Sequence, residues 1–92
     1  MPYFVATYAY TPDTTARDEV RPVHREWLAG LGERLVLSGP TDADGAVLVF
    51  DAADAAAVEA LLDEDPFTTG GIVAERRVVG WNPILGRLAG SL

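Results

Sequence analysis

The chain has one histidine and no cysteine, so acid–base chemistry near neutral pH centres on His24 and whatever flanks it. His24 sits among Val20, Trp27, Leu28 and Leu31. In that apolar setting an imidazole is partly desolvated and suited to work as a general acid or base. The same place suits a core-edge histidine satisfied by a backbone carbonyl, and position alone leaves both readings open. Asp65 is the second candidate. It closes the run Asp63-Glu64-Asp65 at the expected C-terminal end of a helix, where the helix dipole disfavours acids by about 0.3–1 kcal/mol each. Departures from local preference gather at functional sites. Pro66 also pushes the residue before it out of the helical region, which fixes the direction of Asp65. A solvated acidic helix end is the competing reading, and for Asp63 and Glu64 it suffices.

Arg17, Arg21 and Arg25 are spaced by four and form one basic ridge on a helix. Arg21, three residues before His24, can flank the same pocket and bind a carboxylate or phenolate in bidentate fashion. Pairing with Asp18 or Glu26, or plain solvation, explains the ridge equally well. Ser38-Gly39-Pro40 ends a short apolar run. Ser38 can offer a hydrogen bond, and Gly39 permits a close backbone approach or a positive φ. With His24 and Asp65, Ser38 completes the residue types of a catalytic triad. The strand–Gly-x-Ser-x-Gly–helix context of a nucleophile elbow is missing, so covalent serine catalysis is not supported. Asp42-Ala43-Asp44-Gly45 lacks the length and terminal glutamate of a calcium loop, and no metal is expected. Trp27, Trp81, Tyr3, Tyr8 and Phe67 are expected in the core or as pocket wall.

The elements that must position these residues follow from periodicity. Residues 3–10 are aromatic and β-branched, as in a strand. Residues 17–31 place Val20, Val23, His24, Trp27, Leu28 and Leu31 on one helical face. Pro22 is tolerated only in a first turn, so regular helix is expected from near Arg21, with Gly32 as its C-terminal cap. Residues 34–38 and 46–50 read as strands around a polar turn. Asp51 or Asp54 caps a second helix that runs to about Glu64 and is stopped by Pro66. Residues 68–71 read as a turn and 72–79 as a fourth strand. The order β-α-β-β-α-β is the ferredoxin-like split βαβ arrangement of an α+β domain, over residues 1–81, with 82–92 as a tail.

The second and third strands are apolar at nearly every position, which asks for cover on both faces. Two helices cover one face of a four-stranded antiparallel sheet. A second copy of the sheet, packed face to face about a two-fold axis, is the expected cover for the other. Ile84, Leu85 and Leu88 of the tail either add to that contact or fold back on their own chain.

Composition removes many functions. The net charge is −7, with 14 acids, 7 arginines and no lysine, so the basic footprint of nucleic-acid binding is missing. Anionic membrane surfaces are disfavoured for the same reason. Schiff-base chemistry and a Walker-type lysine are excluded, as are thiolate metal sites. No apolar run approaches the roughly 18 residues of a membrane span, and the start lacks the pattern of a signal peptide. A cytoplasmic protein is the default.

Taken in order, Arg21-Pro22-Val23-His24, Trp27-Leu28, Leu31, Leu37-Ser38-Gly39-Pro40, Asp65-Pro66-Phe67 and Gly71 resemble the successive blocks of the YCII-related (YciI-like) family, over about residues 2–81. The resemblance implies the ferredoxin-like fold and the sheet-to-sheet homodimer of dimeric α/β-barrel proteins. It implies a His–Asp active site at His24 and Asp65, with Ser38, Gly39 and Pro40 as the small-residue strand end. Most of the family has no assigned reaction; dehydrochlorination of a chlorinated aromatic diol is the best-defined one. The expectation is a cofactor-independent enzyme, lyase or isomerase, that moves a proton on a small cyclic or aromatic anion. His24 is its acid/base, Asp65 orients the imidazole, and Arg21, Ser38 and Gly39 bind substrate. Two alternatives stand beside it: a non-catalytic dimeric ligand-binding or accessory module, and a cofactor-free oxygenase or cyclase with a roomier apolar pocket.

Overall fold

Alternation along the first strand sets the two faces of the sheet. In the computed structural model, which describes residues 2–92, strand β1 (Tyr3–Tyr10) turns Phe4, Ala6, Tyr8 and Tyr10 toward the core. It pairs with β3 (Gly45–Asp51) on one side and β4 (Val73–Trp81) on the other, and β2 (Leu35–Pro40) pairs with the far edge of β3. The order is β2-β3-β1-β4 with every neighbour antiparallel. This is the α+β, ferredoxin-like arrangement expected above. Gly45 is required where β3 opens, because a Cβ there would lie 2.2 Å from the Tyr8 carbonyl oxygen.

Helix α1 (Thr14–Ala29) begins two turns earlier than expected. Asp13 caps it, its carboxylate accepting from the Ala16 N–H at 3.0 Å, and Pro22 lies inside it. Proline removes one N–H and frees the carbonyl of Asp18. Both residues are exposed, so water can take that carbonyl and the helix continues. It ends against Gly30, not Gly32; Gly32, with φ 61, opens a single 3₁₀ turn to Arg34. Helix α2 (Ala55–Asp63) is capped by Asp54, which accepts from the Ala57 N–H at 2.8 Å. A further short helix, α3 (Pro66–Thr69), occupies the stretch read from sequence as a stop followed by a turn.

Helices and sheet enclose one core: Ala6, Tyr8, Ala46, Leu48 and Phe50 from the strands meet Leu31, Val58 and Leu62. The opposite face carries Tyr3, Val5, Val47, Val49, Val79 and Trp81 by register. β3 is buried at nearly every position, while Leu37 of β2 and Val79 and Trp81 of β4 stay exposed within one chain. The tail leaves the end of β4 and does not bury its apolar residues on its own chain, Leu85 being 93% exposed.

Candidate functional site

His24 is on the inward side of α1, 7% exposed, although Arg21 and Arg25 on the same helix reach solvent. Its neighbour across the site comes from the link between α2 and α3. Asp65 is not the dipole-opposed end of a helix that the sequence suggests. α2 stops at Asp63, Glu64 is its C-cap, and Asp65 is the N-cap of α3 with Pro66 in the first helical position. An aspartate before proline is the favoured way to start a helix. Its Oδ1 accepts from the Phe67 N–H at 2.8 Å, and the residue is fully buried.

The other carboxylate oxygen is shared. Asp65 Oδ2 accepts a hydrogen bond from the Tyr8 hydroxyl at 2.7 Å and lies 3.3 Å from His24 Nε2. That second separation is within ion-pair range but out of line for a hydrogen bond, so Nε2 is a buried ring nitrogen with no hydrogen-bond partner. The backbone carbonyl that would make His24 an ordinary satisfied core residue is not found at Nε2. Stacking fixes the ring plane: Phe67 lies 3.8 Å from the imidazole centroid at 6°, and Trp27 at 6.3 Å and 23°.

His24 opens onto a cleft of about 270 Å³. Tyr10, Leu28, Leu48 and Phe67 form its apolar wall, while Arg21, Arg25, Ser38, Gly39 and Pro40 contribute its remaining lining. An apolar cavity of about 150 Å³ suffices for benzene, so this cleft has room for one substituted ring. The cleft thus gathers His24, Arg21, Ser38 and Gly39, with Asp65 behind the imidazole. Gly39 uses neither freedom allowed it: its φ is not positive, and no atom lies within 4 Å of where a Cβ would stand. Arg21 keeps its guanidinium half exposed, 3.5 Å from Asp18. Arg17, read from sequence as part of the same ridge, is buried elsewhere. It donates to the Thr11 carbonyl at 2.8 Å and to Asp44 at 3.3 Å, and covers the Tyr10 ring at 4.7 Å.

Burial, followed by the bond to and charge of Asp65, pushes the Tyr8 hydroxyl far above the ordinary tyrosine value, so it remains a donor. Tyr10 is also pushed up, by burial and then by Asp65, with Arg17 and Arg21 opposing. Among the described residues no group of three His, Asp or Glu side chains comes together to hold a metal ion, and no helix is long and apolar enough to cross a membrane.

Three features of the site escape the sequence reading: the Tyr8 contact to Asp65, the Phe67 stack on His24, and Arg25 in the cleft. The first had a signal. Alternation turns Tyr8 inward with Ala6, and a buried tyrosine hydroxyl needs an acceptor, as a buried aspartate needs donors.

The family model of the YCII-related domain matches residues 1–82, and the chain belongs to that family. No curated protein matches the sequence significantly. Solved structures do. One is 5-chloro-2-hydroxyhydroquinone dehydrochlorinase (TftG) from Burkholderia phenoliruptrix in complex with 2,5-dihydroxybenzoquinone, 24% identical, TM-score 0.78, over 86% of this chain and 92% of that one. Another is an antibiotic biosynthesis monooxygenase, 21% identical, TM-score 0.60, over 92% of this chain and 100% of that one. A third is an uncharacterized NIPSNAP domain protein from Burkholderia xenovorans, 16% identical, TM-score 0.58, over 91% of this chain and 95% of that one. At these identities the likeness is one of fold.

Proposed function

We propose that this YCII-related chain is a cofactor-independent enzyme that moves a proton on a small cyclic or aromatic anion, as a lyase of dehydrochlorinase type or an isomerase. One observation carries the reading. The sole histidine is backed by a buried carboxylate at 3.3 Å and also lines a cleft of single-ring size. A merely structural histidine needs no cleft.

In this reading Nε2 faces Asp65 and Nδ1 is left to face substrate. Nδ1 takes a proton from the ring substrate. The electron pair left behind either expels a leaving group from the neighbouring carbon or takes the proton back at another position. Asp65 stabilises the imidazolium in between, as a carboxylate does for a histidine base. Arg21 and Arg25 attract the anion and hold its oxygens, and Ser38 with the Gly39 backbone adds hydrogen bonds at the β2 side. Phe67 fixes the imidazole plane. The dehydrochlorinase that shares the fold binds a ring compound of this size, which supports the substrate class.

The working form in this proposal is a cytoplasmic homodimer. The sheet face bearing Val5, Val79 and Trp81 is apolar and turned away from the chain's own helices, with Val79 and Trp81 exposed, and a second copy gives it cover. The domain is residues 1–81, and tail residues 82–92 add leucines to that contact.

A non-catalytic ligand-binding module is the second reading, and the misaligned His24–Asp65 contact favours it. The test is a panel of chlorinated hydroquinones, hydroxybenzoquinones and lactones with wild type and His24→Gln. Binding by both with turnover by wild type alone supports the enzyme. Binding by both with turnover by neither supports the module. Turnover that survives in His24→Gln overturns the assignment of His24, and product formation that needs dioxygen moves the protein to the oxygenase reading.

A further inference from the structure

We infer that Tyr8 is a positioning residue of this site, whose hydroxyl sets how strongly Asp65 lets His24 hold a proton. The inference rests on the His24–Asp65 reading above and names a third member of that pair.

Tyr8 comes from the middle of β1, paired on both sides, and is 4% exposed. Its hydroxyl donates to Oδ2 of Asp65 at 2.7 Å. That is the same oxygen that faces His24 Nε2 at 3.3 Å, while Oδ1 is taken by the Phe67 N–H. Tyr8 and His24 therefore draw on the negative charge of one atom. A charge-assisted hydrogen bond disperses that charge. Tyr8 thus stabilises the buried carboxylate when the imidazole is neutral, and weakens its hold on the imidazolium when it is charged.

Asp65 is the carboxylate in ion-pair range of His24. Arg21 and Arg25 of α1 and Tyr10 of β1 line the cleft with His24, Arg17 and Arg21 act on Tyr10, and Thr68 of α3 and Arg76 of β4 act on Tyr8. Arg76 is occupied by Glu59 and Asp63 on α2. Arg17 is paired with Asp44.

The experiment is NMR titration of the single histidine in wild type, Tyr8→Phe, Asp65→Asn and the double variant. Asp65→Asn is expected to lower the midpoint. Tyr8→Phe is expected to raise it, because a carboxylate oxygen no longer shared with a donor holds the imidazolium more strongly. In the Asp65→Asn background Tyr8→Phe is expected to change nothing. A purely structural tyrosine would shift both backgrounds alike, which overturns the inference while leaving the pair intact. No shift in Tyr8→Phe with a shift in Asp65→Asn does the same. No shift in Asp65→Asn overturns the pair, and the inference with it. If Tyr8→Phe does not fold, the hydroxyl proton of wild type serves instead. A slowly exchanging downfield resonance, lost in Asp65→Asn, supports the contact, and its absence from wild type overturns it.

Discussion

Replacing Asp65 separates the carboxylate's roles by size. In Asp65→Ala the Phe67 N–H loses its cap, a loss of about 1 kcal/mol. The Tyr8 hydroxyl, bonded to Oδ2 at 2.7 Å, is left buried without an acceptor, at about 1–3 kcal/mol. Together the variant is expected to lose about 3 kcal/mol. In Asp65→Asn the amide oxygen still caps Phe67, and its NH₂ can donate to a Tyr8 oxygen that turns from donor to acceptor. The expected loss is about 1 kcal/mol. For a domain this small, 1 kcal/mol moves Tm by roughly 4–8 °C, so the two variants should differ by roughly 8–16 °C. Thermal and urea melts followed by tryptophan fluorescence, at one fixed protein concentration because self-association would shift apparent stability, give the comparison. Equal losses in the two variants, or an Asp65→Ala loss below about 1 kcal/mol, would refute the shared-oxygen arrangement.

Pro22→Ala, at an exposed position inside α1, restores an N–H to the Asp18 carbonyl and should raise stability by about 1–3 kcal/mol in the same melts; no gain means the helix is already adapted around proline. Tyr8 is pushed above its ordinary value of 10.0, so above that pH the folded state keeps a proton that the unfolded state releases. Stability is therefore intact below about pH 10 and falls as pH rises past it, and Tyr8→Phe should flatten that fall between pH 9 and pH 11; equal slopes count against a buried Tyr8. If the proposed homodimer forms through the sheet face opposite the helices, Val79→Glu, 43% exposed in the single chain, should sediment as a monomer where wild type sediments as a dimer, and equal sedimentation coefficients for the two count against a contact there.

Strand and helix order was legible because each element has a clear period and a cap or breaker at its ends. The order β-α-β-β-α-β gives the sheet arrangement almost alone, since each βαβ half must skip a strand that the other half fills. Pro22 misled the start of α1. A proline rule judged by position ignores that an exposed carbonyl can turn to water. At Asp65 the dipole violation dissolves once Pro66 starts a new helix, while the extended backbone expected of a residue before proline is there; what remains is an N-cap with a spare oxygen. That spare oxygen meets Tyr8 across 57 positions of sequence, and no local pattern encodes such a distance. The Phe67 stack is hidden for the same reason. Arg21 needed only the helix face to be placed near His24, whereas Ser38 and Gly39 came to the site through the family resemblance and do line the cleft. Arg25 falls one turn beyond Arg21 on that face and was within reach of the same reasoning.

The two edges of the sheet have a consequence for how this chain meets copies of itself. β2 is six residues long, slips register between Leu35 and Leu37, and ends on Pro40, which has no N–H to offer. β4, the other edge, carries Glu75, Arg76 and Arg77 in mid-strand. Short irregular edges, proline and charge all resist the docking of another strand. Growth by continuing the sheet from chain to chain, the route toward fibrils, is thus obstructed at both borders. In the proposed homodimer association uses the broad face instead, where a two-fold contact consumes the surface that made it and growth stops at a closed pair.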